Sequence, residues 1–403
     1  VSNMNNIRKL TDSLFWVGVN DRRIALFENV YPVPTGMSYN SYVLLDEKTA
    51  LFDTVDASFT HDFLENVTAA LKGRTLDYLI VNHMEPDHCA SIADVIAVYP
   101  EAKIVCTAKA VGMMKQFFDF DVDSRAILVK EGDTISLGSH ELTFVMAPMV
   151  HWPEVMVTYE KTEKILFSAD AFGSFGAVDG NIFADEIDDK VAWLSEARRY
   201  YTNIVGKFGM SVQGLLKKAA GLEIRMICPL HSVIWREDLP WLIDKYLKWS
   251  SYTPEEKSVT IAYGSVYGHT EKAADILAGK LADRGIRHIS VFDVSKTHPS
   301  YIIADAFRTS AIVFASITYN GGIFCNMDTL LHQLAAHGLT NRTAALIQNG
   351  TWAATTSKQM GEILGTMKNI HVLEADVTIK SALKDNQEAE LDALADAIAA
   401  SLQ

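Results

Sequence analysis

Four side chains that can bind a metal lie within six residues of one another, at His83, Glu85, Asp87 and His88. They follow an apolar run of strand length at residues 76–81. Burying all of them without partners would cost several kcal/mol each, which makes a purely structural role in the core unfavourable. On a tight loop, however, alternate side chains can converge on one cation. The spacing therefore predicts a metal site.

Three more potential ligands come just after predicted strands: His151 after residues 141–147, Asp170 after residues 164–168, and His231 after residues 223–228. Strand ends that share one rim of a sheet would gather these side chains in one place. A single histidine at a strand end is more often structural. The combination with the loop at residues 83–88 favours metal binding instead, and mixed imidazole and carboxylate ligands suit iron as well as zinc.

A second candidate site begins at a loop between a predicted strand and a predicted helix. Its side chains and its glycine are Ser265, Tyr267, Gly268, His269 and Thr270. Hydroxyls and exposed N–H groups at the start of a helix bind anions, and the helix dipole strengthens the attraction. The glycine lets the main chain approach a phosphate closely. Alone, this loop is weak evidence, because a capped helix after a tight turn has the same composition.

Two further loops in the same half of the chain strengthen this prediction. They contain Ser316, Thr318, Tyr319, Asn320 and Gly321 after one predicted strand, and Asn349, Gly350, Thr351 and Trp352 after the next. Ligands of open α/β sheets bind at such strand ends. Tyr319 or Trp352 could stack on an aromatic ligand, although a loop aromatic is more often simple packing.

The elements that must position these residues change in character near residue 250. Residues 1–250 read as short strands with helices between some of them, including a hairpin at 41–45 and 50–53 and helices at 61–71 and 189–208. Residues 251–257 are polar, carry Pro254 and read as a linker. Residues 258–403 alternate strands with helices, which predicts a doubly wound parallel sheet. The predicted strands here are 258–263, 288–292, 311–315, 343–347 and 370–373, and the helices are 270–284, 326–337, 357–368 and 386–402.

The ligand pattern resembles the metallo-β-lactamase superfamily, whose hydrolases usually begin with H-x-H-x-D-H. Here Glu85 stands at the second histidine, and H-x-E-x-D-H followed by His151, Asp170 and His231 is similar to the flavodiiron proteins, also called A-type flavoproteins. The resemblance covers nearly the whole chain, because the three later loops look like those of flavodoxin. It implies an α/β fold, with an N-terminal metallo-β-lactamase-like αββα sandwich and a C-terminal flavodoxin-like sheet.

The same resemblance implies the cofactors and their ligands. One iron would take His83, Glu85 and His151, the other would take Asp87, His88 and His231, and Asp170 would bridge them. In some members the histidine that matches His88 turns away from the metal. The loop at residues 265–270 would bind the phosphate of FMN, and the two later loops would flank its ring. The second loop departs from the usual S-P-T-x-N, since Ile317 replaces the proline, and the third begins with Gln348 and Asn349.

The implied reaction is reduction of O2 to water or of NO to N2O. The implied assembly is a head-to-tail homodimer, with a tetramer as the larger alternative. No C-x-x-C pair occurs, so we expect no fused rubredoxin domain and an external electron donor, either rubredoxin or a reduced deazaflavin. Relatives often carry F-H-G near the N-terminus where this chain has Phe27, Glu28 and Asn29, so Glu28 is a candidate pocket residue, as is Tyr200 or Tyr201. The alternatives are a binuclear-metal hydrolase, and an electron carrier with a non-catalytic first domain.

Composition supports these predictions by exclusion. The 36 basic and 50 acidic residues give a net charge of -14, which disfavours binding to nucleic acid. The four cysteines form no disulfide scaffold or cysteine-ligated cluster pattern and fit a reducing compartment. No apolar run approaches the length of about 18 residues expected of a membrane span. We therefore expect a cytoplasmic protein without a membrane partner.

Overall fold

The computed structural model describes residues 4–403, which form two compact units. The first unit comprises the chain up to Tyr201 together with Met210–Tyr246. The second comprises Thr202–Gly209 together with Leu247–Gln403. The chain passes between the units three times: after Tyr201, after Gly209, and inside the helix Leu239–Ser250.

The first unit contains a sheet of seven strands, and in spatial order these are Arg8–Lys9, Leu14–Trp16, Tyr42–Leu45, Thr49–Phe52, Tyr78–Ile80, Lys103–Cys106 and Ala126–Leu128. Neighbouring strands among the first four are antiparallel. Thr49–Phe52, the fourth strand, is parallel to the fifth, and the remaining neighbours are also parallel to each other. The hairpin predicted at residues 41–53 is therefore correct. The parallel strands all end at the same edge, which places the loop after Tyr78–Ile80 on that rim.

A second sheet of the same unit has five strands: Thr134–Ser136, Glu141–Met146, Met156–Glu160, Ile165–Phe167 and Met226–Cys228. Its last two strands pair parallel and the others antiparallel. Two short ribbons pair Val19–Asp21 with Met37–Tyr39 and Leu26–Phe27 with Tyr31–Pro32.

The two sheets share one hydrophobic core. The rings of Phe52 and Phe167 stack between them with centroids 3.8 Å apart. Val43 and Leu51, which point to the other face of the first sheet, are also fully buried, so that sheet is covered on both faces. The unit's helices are Thr60–Leu71, Pro86–Cys89, Ile92–Val98, Ala108–Phe117, Lys190–Tyr200 and Gly209–Ala219, with short 3-10 turns at Ala57–Phe59 and Ala184–Glu186.

The second unit is a parallel sheet with helices on both faces. In spatial order its strands are Ser290–Asp293, Glu256–Gly264, Thr309–Tyr319 and Arg342–Asn349, the last flanked by both Ile370–Val372 and Val377–Ile379. The strand Gly322–Ile323 pairs antiparallel with Thr309–Tyr319. The helices are His269–Asp283, Pro299–Arg308, Cys325–Ala336, Thr356–Leu364 and Glu388–Ser401, with a 3-10 turn at Asp385–Gln387. This 2-1-3-4-5 order is that of a flavodoxin-like doubly wound sheet.

The helix predicted at residues 189–208 is longer and less regular than expected. It begins at Lys190, passes through a π-helical turn at Tyr201–Val205 and a 3-10 turn at Gly206–Phe208, and continues as Gly209–Ala219. Gly209 allows close packing, because a Cβ there would lie 2.4 Å from the carbonyl oxygen of Ser250.

A buried histidine links the two sheets of the first unit. His140 lies between two strands of the second sheet, and its Nδ1 donates to Asp46 Oδ2, in a turn of the first sheet, at 2.8 Å. Its Nε2 lies 3.2 Å from Glu163 Oε2. Burial lowers the pKa of His140, but Asp46, Glu160 and Glu163 outweigh it and raise that pKa above its ordinary value. Burial raises the pKa of Asp46, but the hydrogen bonds from the side chain and the main chain of His140 outweigh it and lower that pKa to about 2.

We expect His140→Asn to destabilise the protein more at pH 6 than at pH 9. The raised pKa of His140 means that the imidazolium stabilises the fold fully below its unfolded pKa. That contribution is lost as the pH rises through the higher folded pKa. At pH 6 the loss should be about 1.5–3 kcal/mol, the worth of a charge-assisted hydrogen bond. The measurement is chemical unfolding of both proteins across this pH range, and a destabilisation that is constant with pH would contradict the prediction.

Candidate metal centre and anion-binding cavity

The loop at residues 83–88 is held by a buried aspartate from the neighbouring strand end. Asp53 follows Thr49–Phe52, and its Oδ1 accepts main-chain N–H bonds from Asn82 at 2.8 Å and from His83 at 3.2 Å. Its Oδ2 accepts from Asn82 Nδ2 at 2.9 Å. Asp53 was not predicted from the sequence. Its available signal was an acidic residue directly after an apolar strand.

His83, Glu85, His151 and Asp170 turn their donor atoms towards one point, with all of these atoms within 4.8 Å of one another. Glu85 Oε2 lies 3.3 Å from His83 Nε2 and 3.0 Å from His151 Nε2. Asp170 Oδ2 lies 3.2 Å and 3.1 Å from the same two nitrogens. All four residues are buried. The structure therefore brings together the set that the resemblance implied for one iron, with Asp170 beside it.

Asp87, His88 and His231 form a second buried group of donors. Asp87 Oδ2 lies 3.1 Å from His88 Nε2 and 3.2 Å from His231 Nε2, and the two nitrogens are 3.0 Å apart. His231 Nδ1 donates to the carbonyl oxygen of Ser38 at 2.7 Å, so its Nε2 lone pair faces the group. The side chain of His88 points into the site, with its Nε2 among the donors.

Asp170 faces both groups, one oxygen to each. Its Oδ2 faces His83 and His151, and its Oδ1 lies 3.1 Å from His88 Nε2 and 3.5 Å from His231 Nε2. Within residues 4–403, neither of these oxygens has a partner in hydrogen-bond geometry. Ligands held about 2.1 Å from one cation lie about 3 to 3.5 Å apart, which is the spacing seen here. The donor atoms therefore fit two cations that share one carboxylate.

The electrostatics of the group also fit cation binding. Burial lowers the pKa of His88, but the carboxylates of Asp87 and Asp170 outweigh it and raise that pKa to about 10. Burial raises the pKa of Asp170, yet His83 and His88 hold it well below its ordinary range. Cations compete with protons for such nitrogens, since a ligating imidazole must be neutral. Metal affinity should therefore fall in acid.

Glu28 and Tyr200 border the donor groups. Glu28 and Asn29 form the left-handed tip, with φ of 51° and 55°, of the ribbon that begins at Leu26–Phe27. Glu28 is exposed as a whole residue, but its carboxyl lies against Glu85. Partial desolvation of that carboxyl and its hydrogen bond to Glu85 raise the pKa of Glu28 to about 9. The ring of Tyr200 is buried 5.5 Å from that of His231. Tyr201 packs on Tyr246 instead, so Tyr200 is the tyrosine that borders the site.

A separate cavity of about 490 Å³ lies in the second unit at the carboxyl ends of its strands. Nine of the predicted residues line it, and these are Ser265, Tyr267, His269, Thr270, Thr318, Tyr319, Asn349, Thr351 and Trp352. The three loops named in the sequence analysis therefore meet at one cavity. Trp352 and Tyr267 are 95% and 90% exposed, which leaves both rings open to a ligand or a partner.

The other predicted residues support the loops without lining the cavity. Gly268 begins the helix His269–Asp283 with φ of 91°, and its N–H donates to Ser265 Oγ. Ser316 Oγ accepts from the N–H of Phe324. A Cβ on Gly350 would lie 1.9 Å from the carbonyl oxygen of Ala353. Asn320 and Gly321 form a turn, with φ of 52° and 73°.

Ser381 lines the same cavity and was missed. Its N–H donates to Asn349 Oδ1 at 3.0 Å, and its hydroxyl lies 3.0 Å from Thr351 Oγ1. Ser381 follows Val377–Ile379, a strand too short and too mixed in polarity to have been predicted. A serine after an unrecognised strand carried no signal of its own.

Comparison with known proteins links both units to one group of enzymes. The model of a family described as ODP family beta lactamase matches residues 37–232. The chain is 29% identical over 388 residues to the anaerobic nitric oxide reductase flavorubredoxin of Escherichia coli, a match that covers 94% of this chain and 78% of that protein. None of the helices within residues 4–403 has the length and apolar composition that a membrane span requires.

Two solved structures resemble the whole chain. Rubredoxin oxygen:oxidoreductase from Desulfovibrio gigas has a TM-score of 0.91 and 28% identity, with 98% of each chain covered. A flavodiiron protein from Giardia intestinalis has a TM-score of 0.92 and 25% identity, with 100% of this chain and 99% of that chain covered. These likenesses confirm the predicted fold class, a metallo-β-lactamase-like domain joined to a flavodoxin-like domain.

Proposed function

We infer that this chain, which belongs to the flavodiiron proteins, is an oxidoreductase that reduces O2 to water, NO to N2O, or both. The observation that carries the inference is the arrangement around Asp170, whose two oxygens each face one group of donors. Relatives named as a nitric oxide reductase and an oxygen oxidoreductase match nearly the full chain. A metallo-β-lactamase-type hydrolase is not favoured, because the likeness extends through the second unit.

We propose that the two donor groups hold two irons and that the cavity of the second unit holds FMN. His83, Glu85 and His151 would bind one iron, Asp87, His88 and His231 the other, and Asp170 both. When bound, the irons hold and polarise the diatomic substrate, and the flavin supplies electrons. The phosphate of FMN would bind at the start of the helix His269–Asp283, where main-chain N–H groups and the helix dipole favour an anion.

Side chains around the donor groups control protons and water. Reduction of O2 to two waters consumes four electrons and four protons, and coupling of two NO to N2O and water consumes two of each. Glu28 is suited to exchange protons with solvent beside the site, because the residue is exposed while its carboxyl is hydrogen-bonded to Glu85. The buried rings of Phe27 and Tyr200, both packed on His231, limit the access of water from their side.

The proposal extends to partners. A rubredoxin-type protein is the proposed electron donor, in keeping with the names of the relatives. We further propose a head-to-tail homodimer, or a tetramer built from it, so that the FMN of one subunit serves the irons of the other. The exposed Trp352 and Tyr267 support a partner surface at the mouth of the cavity.

Cofactor analysis and rapid kinetics test the function together. We expect two irons and one FMN per chain. The anaerobically reduced protein is mixed with O2 and with NO in separate stopped-flow experiments, and we expect at least one of the two gases to oxidise it. Zinc without flavin would favour a hydrolase, and FMN without metal would favour an electron carrier. A reduced protein with both cofactors that reacts with neither gas would refute the proposed function.

We expect Glu28→His to change the ratio of the O2 and NO reductase rates by about tenfold, or about 1.4 kcal/mol in relative barrier. The carboxyl of Glu28 contacts Glu85, so replacing it with an imidazole alters proton supply beside the substrate. Both rates are to be measured with the same saturating donor. Glu28→Gln, which keeps the shape but cannot exchange a proton, is the matched control. Unchanged iron and FMN contents with a ratio within about twofold of the parent would make Glu28 a surface residue without a role.

A further inference from the structure

Glu154 lies behind the donor group that contains His83. It is three residues after His151 in the same loop, and its side chain is fully buried. Its Oε1 lies 2.7 Å from His83 Nδ1 and accepts from the N–H of Met84, also at 2.7 Å. Within residues 4–403 its Oε2 has no hydrogen-bond partner. The carboxylate therefore joins the loop that carries His151 to the loop that carries His83.

This contact sets the tautomer of His83. A carboxylate accepts hydrogen bonds only, so the ring proton lies on Nδ1 and the lone pair on Nε2, which faces Glu85 and Asp170. A charged acceptor behind an imidazole also strengthens it as a metal ligand. In the other donor group, His231 has only the neutral carbonyl oxygen of Ser38 behind it, and His88 Nδ1 has no partner within the described residues.

We propose that Glu154 is a positioning residue that acts on one of the two metal sites, the one formed by His83, Glu85 and His151. This inference rests on the proposed function, since it takes the two donor groups as iron sites. Glu154 orients the ring of His83, increases its donor strength and ties together the two loops that supply this site. Within residues 4–403, no carboxylate is hydrogen-bonded to Nδ1 of His88 or of His231 in the second site. The two irons are thus held with different strength.

Glu154→Gln separates the charge of the side chain from its shape. The amide oxygen can still accept from His83 Nδ1 and Met84 N, so the tautomer is kept while the negative charge is lost. Outer carboxylates of this kind are worth about 10- to 100-fold in metal affinity. We expect one of the two irons to be lost to a chelator about 10- to 100-fold faster than in the parent, while the other leaves at the parental rate. The midpoint potential of the remaining diiron fraction should rise, because a weaker donor stabilises the ferric state less.

Two further variants complete the test. Glu154→Ala should give a larger effect at the same site, because it also removes the acceptor that fixes the tautomer. Thr107→Val is the matched control: Thr107 Oγ1 donates to the carbonyl oxygen of Glu154 at 3.0 Å, so this change disturbs the same residue and leaves its carboxylate in place. It should lower thermal stability without separating the release of the two irons or moving the potential.

The positioning role would be overturned if Glu154→Gln released both irons to the chelator equally faster, or released neither iron faster. It would also be overturned if Thr107→Val showed the same selective release as Glu154→Gln. The parent protein distinguishes this failure from failure of the proposed function. If the parent holds two irons and only the variants contradict expectation, the role of Glu154 falls and the function stands. If the parent binds no pair of irons, the function itself falls.

Discussion

Asp170→Asn should leave a folded protein that retains neither iron fully and turns over at least about 1,000-fold more slowly, a change of about 4 kcal/mol in barrier. Each oxygen of Asp170 faces two histidine nitrogens at 3.1–3.5 Å, and both are buried without other partners among the described residues. An asparagine offers one neutral oxygen and directs an NH2 group at the other set of nitrogens. The NH2 group would repel one of the two cations, which the carboxylate oxygen of Asp170 would attract.

The iron content and the turnover rate of Asp170→Asn are to be compared with those of a control variant in which another buried aspartate is replaced by asparagine. Asp46→Asn also replaces a mostly buried aspartate with its amide, but Asp46 contacts His140 in a turn of the first sheet and belongs to neither donor group. We expect Asp46→Asn to lose stability and to keep its iron. Full iron occupancy and parental turnover in Asp170→Asn would show that this residue does not bridge the metals.

The double variant Ser265→Ala, Thr270→Ala should have a Kd for FMN about 100- to 10,000-fold higher than that of the parent. Ser265 Oγ accepts from the N–H of Gly268 at 3.1 Å, and Thr270 Oγ1 accepts from Asn349 Nδ2 at 3.3 Å. Each hydroxyl proton therefore stays available for a phosphate oxygen. A hydrogen bond to a charged group is worth about 1.5–3 kcal/mol, so the pair should contribute about 3–6 kcal/mol.

Titration of the flavin-free protein with FMN, followed by quenching of flavin fluorescence, gives the affinities. Ser295→Ala is the control, because Ser295 lies in the loop after the neighbouring strand Ser290–Asp293 and does not line the cavity. Its affinity for FMN should equal that of the parent. An unchanged affinity in the double variant would mean that the phosphate binds elsewhere.

The sequence predicted the grouping of the candidate ligands where two things could be read from neighbouring residues: the residue type and the position at the end of a strand. His83, Glu85, Asp87 and His88 are adjacent in the chain, so their grouping needed no knowledge of the fold. His151 and His231 each come a few residues after an apolar run that could be recognised as a strand, and the structure groups them with donors from the loop at residues 83–88. The same logic brought three loops of the second unit to one cavity.

The residues that hold this site in shape could not be predicted in the same way. Asp53 and Glu154 act on main-chain N–H groups and on a ring about 30 and 70 positions away in the chain, which becomes visible only once strands pair. The helix Pro299–Arg308 was also missed. The π-helical turn at Tyr201–Val205 has no counterpart in the hydrophobic pattern of residues 189–208, which is that of a regular helix.

The donors of the metal centre come from both sheets of the first unit. His83, Glu85, Asp87 and His88 follow a strand of one sheet, and His151, Asp170 and His231 follow strands of the other. The proposed irons would therefore join the rims of the two sheets. A ligand at 100 times its Kd adds about 2.7 kcal/mol to the free energy of unfolding. For a domain of ordinary marginal stability, that is a large share of the total. If the donor groups hold the proposed irons, the supply of iron in the cell would determine how much of this protein escapes proteolysis, besides how fast it turns over.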